Sequence, residues 1–218
     1  MNCDLICFDV DGTLIDGIQF IWSYLHEQLG CDRERIDSYK QHYFSGNITY
    51  QQWAESDIRL WRESGATRRQ LVSLLAGLRP VPGAIETLTT LHRAGMHMGI
   101  VSGSIDLALT AVLKPVLHWF VRIFINRLQF DEAGFLSGVE ATAYDMAHKA
   151  EGVRRMAAEL GVPLARTAFV GDHFNDVEAA RVAGLSIAFN CKSDELASVA
   201  DVTIDSGSLC DILPVVGL

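Results

Sequence analysis

The sequence LICFDVDGTL, residues 5–14, joins a short apolar run to two aspartates, a glycine and a threonine. The apolar run, residues 5–8, is too short for a helix and ends abruptly, which is typical of a buried β-strand. Ligands of open α/β sheets bind beyond the carboxyl ends of the strands, where Asp9 and Asp11 would lie. Two carboxylates this close repel each other unless a cation is near, and Mg²⁺ prefers such oxygen ligands. The stretch therefore predicts a strand that delivers carboxylates to a metal-binding loop.

An Asp-x-Asp-Gly sequence also occurs in ordinary turns and at the start of calcium-binding loops. An EF-hand loop needs a glycine at its sixth position and a glutamate at its twelfth. Counted from Asp9, the glycine is fourth and the twelfth residue is Phe20. The calcium-loop interpretation is therefore excluded, whereas an ordinary turn stays open for this stretch taken alone.

The composition of the chain favours a folded protein with a negative charge. The chain has 218 residues, 49% of them hydrophobic, only five prolines, and a formal net charge of −9. This length allows a sizeable core in one domain or slightly more. Nucleic acids and anionic membranes are held largely through Lys and Arg, so we expect neither as a partner. A phosphorylated substrate would have to be held locally, by a metal ion and a few cations.

The start of the chain and its cysteines predict a cytoplasmic protein. The first four residues, Met-Asn-Cys-Asp, lack the basic region that begins a secretory signal, and no run of apolar residues reaches the length of a membrane span. The five cysteines are widely scattered, without a C-x-x-C pair. We expect free thiols in a reducing compartment, and neither a zinc site nor a disulfide framework.

Residues 16–80 show helical periodicity and no convincing strand. Apolar and aromatic residues recur there at helical spacing, with a break at residues 45–47. We predict a small helical cap domain over residues 16–80, inserted after the first strand of a core domain that comprises residues 1–15 and 81–218. Most of the cap aromatics are expected to form its own core, although exposed ones would also suit the interface of a homodimer.

From residue 82 onward, strand and helix patterns alternate as in βαβ units. The predicted strands cover residues 98–101, 121–125, 167–170, 185–189 and 202–204, with a hairpin over 128–136. The predicted helices cover residues 84–94, 106–117, 146–160 and 177–183. The pattern predicts an α/β fold with parallel strands.

Polar residues follow three of the predicted strands and form the candidate site. They are Asp9 and Asp11, then Ser102 and Gly103, and finally Asp172, Asn175 and Asp176. Because parallel strands bring their carboxyl ends to one edge of a sheet, these groups can share a site despite their distance in sequence. Lys149 lies near the start of the predicted helix before the last of these strands.

The carboxylates suit phosphoryl transfer. Asp9 can attack a phosphorus atom and form an aspartyl-phosphate that water later hydrolyses. Asp11 can protonate the leaving alcohol and then deprotonate the water. Asp172 can share Mg²⁺ with Asp9, and the metal neutralises phosphate charge.

The remaining candidates carry a weaker signal when each is taken alone. The Ser102 hydroxyl and nearby backbone N–H groups, that of Gly103 included, can hold phosphoryl oxygens, but the pair also fits a plain strand-to-helix turn. Lys149 can pair with the nucleophile and the phosphate as a point charge, but a solvated surface lysine is the simpler interpretation. Burying the side-chain oxygens that follow Gly171 behind an apolar strand costs free energy unless a cation is present. A purely structural role therefore explains these residues poorly.

Together these segments resemble the haloacid dehalogenase superfamily of phosphotransferases and, within it, the phosphoserine phosphatases. The resemblance rests on four motifs in order: DVDGT from Asp9, VSG from Val101, Lys149, and GDHFND from Gly171. It implies a doubly wound, mostly parallel, Rossmann-like sheet with a helical cap inserted after the first motif.

The resemblance also implies roles for single residues. Asp9 would be the nucleophile and Asp11 the acid and base, with Mg²⁺ held by Asp9, the backbone carbonyl of Asp11, and Asp172. Asn175 would lie beside the phosphate or the substrate, and Asp176 would support the metal site. The founding dehalogenases lack the second aspartate, so Asp11 points to phosphoryl transfer.

The departures from this pattern fall on the substrate anchors. Ile18 stands where phosphoserine phosphatases have a glutamate for the substrate amino group. Asp57 falls where their cap has an arginine for the substrate carboxylate, with Arg59 and Arg62 nearby, and Ser104 replaces the second glycine of their second motif. The resemblance therefore does not imply phosphoserine itself as the substrate.

Three hypotheses about function follow from the sequence. The main one is a Mg²⁺-dependent phosphomonoesterase that acts on a small phosphorylated metabolite through an aspartyl-phosphate. The second is a phosphomutase or phosphotransferase, which passes the phosphoryl group to another alcohol instead of water. The third is a non-catalytic binding protein on this fold, with the aromatics around Trp53 and Trp61 as its binding face. The intact set of reactive residues disfavours the third.

Overall fold

The first strand of the chain lies at the centre of the main sheet. The computed structural model describes residues 3–218, apart from the side chain of Ala147. The strands are β1 (Leu5–Phe8), β2 (Ile15–Asp16), β3 (Arg79–Pro80), β4 (His97–Ile105), β5 (Phe120–Phe130), β6 (Leu136–Glu140), β7 (Thr167–Gly171), β8 (Leu185–Phe189) and β9 (Val202–Ile204). Within the described residues, seven of them form one sheet in the order β6-β5-β4-β1-β7-β8-β9, and only the β5–β6 pair is antiparallel.

Helices cover the sheet and also form a separate segment after β2. The α-helices are α1 (Ile21–Gln28), α2 (Arg33–Phe44), α3 (Tyr50–Glu63), α4 (Arg68–Leu75), α5 (Ala84–Arg93), α6 (Asp106–Leu113), α7 (Lys149–Leu160), α8 (Val177–Val182), α9 (Asp194–Val199) and α10 (Leu213–Val216). We call residues 21–75, which contain α1 to α4, the helical insert.

The two faces of β1 pack against different layers because successive side chains of a strand point to opposite sides. Leu5 and Cys7 belong to a buried cluster that includes Val153 and Met156 of α7. Ile6 and Phe8 belong to the larger cluster that includes residues of α5, α6 and the helical insert. Both faces of the sheet are therefore covered, which confirms the predicted doubly wound, mostly parallel α/β fold.

The structure corrects several predicted boundaries. The two-residue strands β2 and β3 pair antiparallel at the two ends of the segment for which no strand was predicted. Strand β4 continues past Ser102 to Ile105, and β5 runs unbroken from Phe120 to Phe130 instead of stopping at residue 125. The helices α9 and α10 were not predicted. Very short strands and helices carry too little periodicity to be recognised from sequence.

Two further predictions concern the chain as a whole. Among the described residues, no helix is both long and apolar enough to cross a bilayer. The cysteines, all within the described range, are free thiols, as expected.

Candidate active site

The candidate site lies where β1 meets its two neighbours. Phe8, the last residue of β1, pairs with Ile100 of β4 on one side and with Val170 of β7 on the other. The chain leaves β1 as Asp9, whose backbone N–H donates to the Val170 carbonyl oxygen at 2.9 Å. The residues that follow β1 and β7 therefore meet at one edge of the sheet, as the sequence predicts, with β4 beside them.

Lys149 lies beneath this edge and joins two of the carboxylates. Its Nζ lies 2.5 Å from Asp9 Oδ1 and 2.6 Å from Asp176 Oδ1, and its side chain is fully buried. The interpretation of Lys149 as a solvated surface lysine is therefore wrong. Burial raises the pKa of Asp9 to about 6, although Lys149 opposes the shift, so Asp9 is largely ionised at neutral pH.

Asp11 is held by two hydrogen-bond donors. The Ser104 hydroxyl donates to Asp11 Oδ1 at 2.6 Å, and the backbone N–H of Ile21, the first residue of α1, donates to Oδ2 at 2.7 Å. Burial and the nearby charge of Asp9 raise the pKa of Asp11 to about 7, and the two donors partly oppose that rise. A carboxyl group with such a pKa can donate or accept a proton near neutral pH.

Asp172 and Asp176 complete an acidic cluster with Asp9. One oxygen of each carboxylate lies within 4.8 Å of the others. Burial, followed by the charges of Asp176 and Asp9, raises the pKa of Asp172 to about 9. A hard divalent cation would relieve this repulsion, and carboxylate oxygens are the ligands that Mg²⁺ prefers, so the residues fit the metal.

Hydrogen bonds distinguish Asp176 from the other two carboxylates. Asp176 Oδ1 accepts from Lys149, and Oδ2 accepts from the backbone N–H groups of Asp172 and His173, both at 3.0 Å. Because both of its oxygens are engaged, Asp176 is better placed to fix the loop that carries Asp172 than to bind an ion directly.

The loop after β1 approaches Asp172 very closely. A Cβ atom built on Gly12 would lie 2.2 Å from Asp172 Oδ2, and Gly12 has a φ of +76°. The Thr13 hydroxyl donates to Asp172 Oδ1 at 3.3 Å. Only glycine fits both the contact and the backbone conformation at this position.

The other predicted candidates line the same cavity. Ser102, Gly103 and Asn175 all contribute to its wall. Asn175 donates through Nδ2 to Asp145 Oδ1 at 3.4 Å, and its own Oδ1 is buried without a hydrogen-bond partner among the described residues. The structure therefore brings the predicted candidates together at one edge of the sheet, with Lys149 and Asp176 buried just behind the cavity wall.

The helical insert forms the rest of this cavity, whose volume is about 920 Å³, counting the part open to solvent. Aromatic side chains line it on the insert side: Phe20 just before the insert, then Trp22, Phe44, Tyr50 and Trp53. His173, which the sequence suggested as a rim residue, also lines the cavity, and its Nε2 lies 2.6 Å from Gln19 Nε2.

Sequence reasoning missed three residues of the site. Asp145 lines the cavity from a loop, and a Cβ atom on Gly103 would lie 1.9 Å from its Oδ2. Ser104 was noted only as a replaced glycine, yet it holds Asp11. His26 lines the cavity beside Asp57. A loop acid and a helical histidine have no motif that would reveal them.

The sequence also matches a known family of hydrolases. A family model described as haloacid dehalogenase-like hydrolase matches residues 3–184. The chain therefore belongs to the haloacid dehalogenase-like hydrolases, which confirms the predicted family and its class of enzyme.

The chain is similar in sequence to several phosphoserine phosphatases. The chain is 31% identical over 216 residues to phosphoserine phosphatase SerB2 of Mycobacterium tuberculosis, covering 98% of this chain and 50% of that protein. It is 26% identical to the phosphoserine phosphatase of Methanocaldococcus jannaschii, covering 96% and 95% of the two chains. The chain thus spans about half the length of some curated relatives that it matches and nearly all of others.

Solved structures agree with this placement. A structure described as a phospho-aspartyl intermediate analogue of phosphoserine phosphatase superimposes with a TM-score of 0.77 at 27% identity, covering 99% of this chain and 100% of that one. A substrate-bound phosphoserine phosphatase gives a TM-score of 0.78 at 26% identity, covering 99% of both.

Proposed function

We propose that the protein is a Mg²⁺-dependent phosphomonoesterase that acts on a small phosphorylated metabolite through an aspartyl-phosphate. The observation that carries this proposal is the pairing of Asp9 with the buried Lys149 beside a second carboxyl group, Asp11, whose pKa is higher. Neighbouring carboxyl groups with different pKa values are suited to separate roles, one as nucleophile and the other as acid and base.

The first half-reaction uses both carboxyl groups. Asp9 forms a bond to phosphorus through a carboxylate oxygen, and the bond between phosphorus and the ester oxygen breaks. Asp11 gives its proton to the departing alkoxide, so the product leaves as an alcohol. Ser102 and Gly103, at the wall of the cavity, hold phosphoryl oxygens, and the Lys149 charge offsets negative charge on Asp9.

The second half-reaction returns the enzyme to its starting state. Asp11, now a carboxylate, removes a proton from water, and the water oxygen bonds to phosphorus as the bond to Asp9 breaks. Asp9 and Asp172, with the backbone carbonyl of Asp11, would hold Mg²⁺, which neutralises phosphate charge when bound. Asp176 positions Asp172, and Asn175 is a neighbour of the phosphate or the substrate.

The same proposal covers the organisation of the chain. We assign residues 16–80 as a cap domain and residues 1–15 with 81–218 as the core, of which the first two residues lie outside the described range. The cavity between the helical insert and the sheet edge supports this division. The cytoplasmic location and a homodimer stay predictions.

The test is hydrolysis of p-nitrophenyl phosphate with and without Mg²⁺. We expect Mg²⁺-dependent phosphate release that Asp9→Asn abolishes, while Asp16→Asn, an exposed carboxyl nearby, keeps it. Acid quenching during turnover should trap one phosphoryl group on the peptide that contains Asp9. Release that survives both Asp9→Asn and chelation of the metal would contradict the proposal.

The phosphotransferase alternative requires a second alcohol in place of water. Adding sugar phosphates or polyols to the assay separates the two functions. Free phosphate as the main product supports the phosphatase, whereas a phosphorylated acceptor formed in preference to free phosphate would identify a transferase.

A further inference from the structure

The part of the cavity beyond Asp9 has an unusual combination of aromatic walls and a buried acid. Trp22 stacks on Trp61 with ring centroids 5.0 Å apart, and Trp53 stacks on Tyr43 at 4.7 Å. Each of these two tryptophans therefore has one face covered by a neighbouring ring while it also lines the cavity. Aromatic rings fixed in this way bind cations through the negative potential of their faces.

Asp57 of α3 is the buried acid, with 4% of its surface exposed. Its carboxylate faces His26, whose Nε2 lies 3.4 Å from Asp57 Oδ1. Trp61 Nε1 donates to His26 Nδ1 at 3.0 Å, so the imidazole ring is held in place from its other side. The His26 imidazole therefore lies between Trp61 and the Asp57 carboxylate.

No lysine or arginine in the described part of the chain pairs with Asp57. Within residues 3–218, no lysine or arginine nitrogen lies within 4.0 Å of its carboxylate. Asp57 Oδ1 and His26 Nε2 are both buried without a hydrogen-bond partner in that range. A buried carboxylate in this state is costly unless a ligand supplies the missing charge.

The charges around the cavity disfavour a carboxylate on the substrate. Among the described residues, no arginine lines the cavity, and the lining carboxyl groups outside the acidic cluster are Asp11, Asp57 and Asp145. Lys40 of α2 also lines it, but its side chain is exposed to solvent.

We propose that the substrate is the phosphate monoester of an amino alcohol that has no carboxylate, with its ammonium group held by Asp57 between the faces of Trp22 and Trp53. This inference rests on the proposed phosphatase function of the same site. The phosphate lies at Asp9 and the cationic end lies in the helical insert. Specificity then comes from charge and aromatic contact at the far end of the cavity.

The test compares esters that differ by one group. Phosphoethanolamine carries an ammonium group where 2-hydroxyethyl phosphate carries a hydroxyl group. Phosphoserine has the ammonium group and a carboxylate in addition. We expect kcat/KM for phosphoethanolamine to exceed that of both other esters by about tenfold or more, since a charge-assisted hydrogen bond alone is worth that much. Phosphocholine tests whether a quaternary ammonium is accepted, which would place more of the recognition on the aromatic rings.

Two substitutions test whether Asp57 is the cause of this preference. Asp57→Asn keeps the shape of the side chain and removes the charge, so KM for phosphoethanolamine should rise about tenfold while the preference over 2-hydroxyethyl phosphate is lost. Asp37→Asn, an exposed acid of α2, is the matched control and should keep the preference. Circular dichroism of both variants checks that the fold is retained.

The outcomes separate the two proposals. Turnover of all three esters without preference, or a preference that Asp57→Asn leaves intact, overturns the assignment of the amino alcohol but not the phosphatase. A preference for phosphoserine that is lost in Lys40→Met shows that Lys40 binds a carboxylate and also overturns it. Failure to hydrolyse any ester, p-nitrophenyl phosphate included, overturns the phosphatase function itself.

Discussion

Gly12 lies so close to Asp172 that a Cβ atom on Gly12 would fall 2.2 Å from Asp172 Oδ2. The loop that follows β1 and the loop that follows β7 are therefore fitted to each other at the proposed metal site. The same residue has a φ of +76°, which side chains other than that of glycine adopt only with strain.

Gly12→Ala should weaken Mg²⁺ binding because the new methyl group displaces the Asp172 carboxylate. We expect at least a tenfold higher Mg²⁺ concentration for half-maximal activity and a loss of about 1–2 kcal/mol in the free energy of unfolding. Gly17→Ala is the control, since Gly17 has a φ of +77° with nothing within 4 Å of its Cβ position. If both variants raise the Mg²⁺ requirement equally, the close approach of Gly12 to Asp172 is not its cause.

Lys149→Met should leave Asp9 and Asp176 buried without a cation. We expect a loss of about 3–5 kcal/mol in stability at neutral pH, the range typical of a broken buried ion pair, and loss of turnover. Because the pKa of Asp9 is already raised to about 6, its protonation removes part of the unpaired charge, so the loss in stability should shrink as the pH falls towards 5. Urea denaturation at several pH values measures it, with the exposed Lys114→Met as control. A deficit that is independent of pH would contradict this explanation.

Ser104→Ala removes a hydrogen bond that stabilises ionised Asp11. Because that bond lowers the pKa of Asp11 from what burial alone would impose, its loss should raise this pKa further by about one unit. Asp11 would then keep its proton to higher pH, so the alkaline limb of the pH–rate profile should move upward by a similar amount. Ser73→Ala, on the exposed side of α4, should leave the profile in place. A shift to lower pH would show that Ser104 does not act on Asp11 in this way.

Asp172→Asn should stabilise the protein when no metal is bound. The pKa of Asp172 is raised to about 9 in the folded protein, whereas an unfolded aspartate releases its proton near 3.9. The folded state therefore binds more protons between these values, and stability falls as the pH rises from about 4 towards 9.

In EDTA at pH 8, the Asp172→Asn variant should melt about 2–4 °C higher than the unchanged protein, which corresponds to about 1 kcal/mol for a chain of this length. The difference should vanish near pH 4, and Mg²⁺ should stabilise only the unchanged protein. Asp205→Asn, an exposed aspartate, should show no such gain. A lower melting temperature of Asp172→Asn in EDTA would mean that its carboxylate stabilises the fold even without metal.

The sequence predicts the sheet edge well because the relevant signals are local. An apolar run followed at once by Asp9 or by Asp172 marks both the strand and its end. Parallel pairing then brings the two ends together without any further information. For the same reason the family pattern was recognisable from short segments around these residues.

Contacts that depend on tertiary structure could not be predicted in the same way. From the sequence alone, Lys149 resembles a solvated surface lysine, because the carboxylates that pair with it come from distant segments. Strand β4 passes through Gly103, a residue type depleted in strands, because Val101 and Ile105 on either side pair with β5. Between them, the Asn126 side chain donates to the Gly103 carbonyl oxygen at 2.6 Å. Asp145 reaches the cavity from an irregular loop, which has no periodicity to read.

The position of β1 in the sheet also bears on how the protein is made. Its first residue, Leu5, pairs with His97 on one side and with Thr167 on the other. During synthesis on the ribosome, the earliest strand must wait for β7 before its second edge is covered, and such long-range pairing is slow to form. Asp9 and Asp172 therefore cannot meet in a nascent chain that stops before β7, so the proposed metal site forms only late in synthesis.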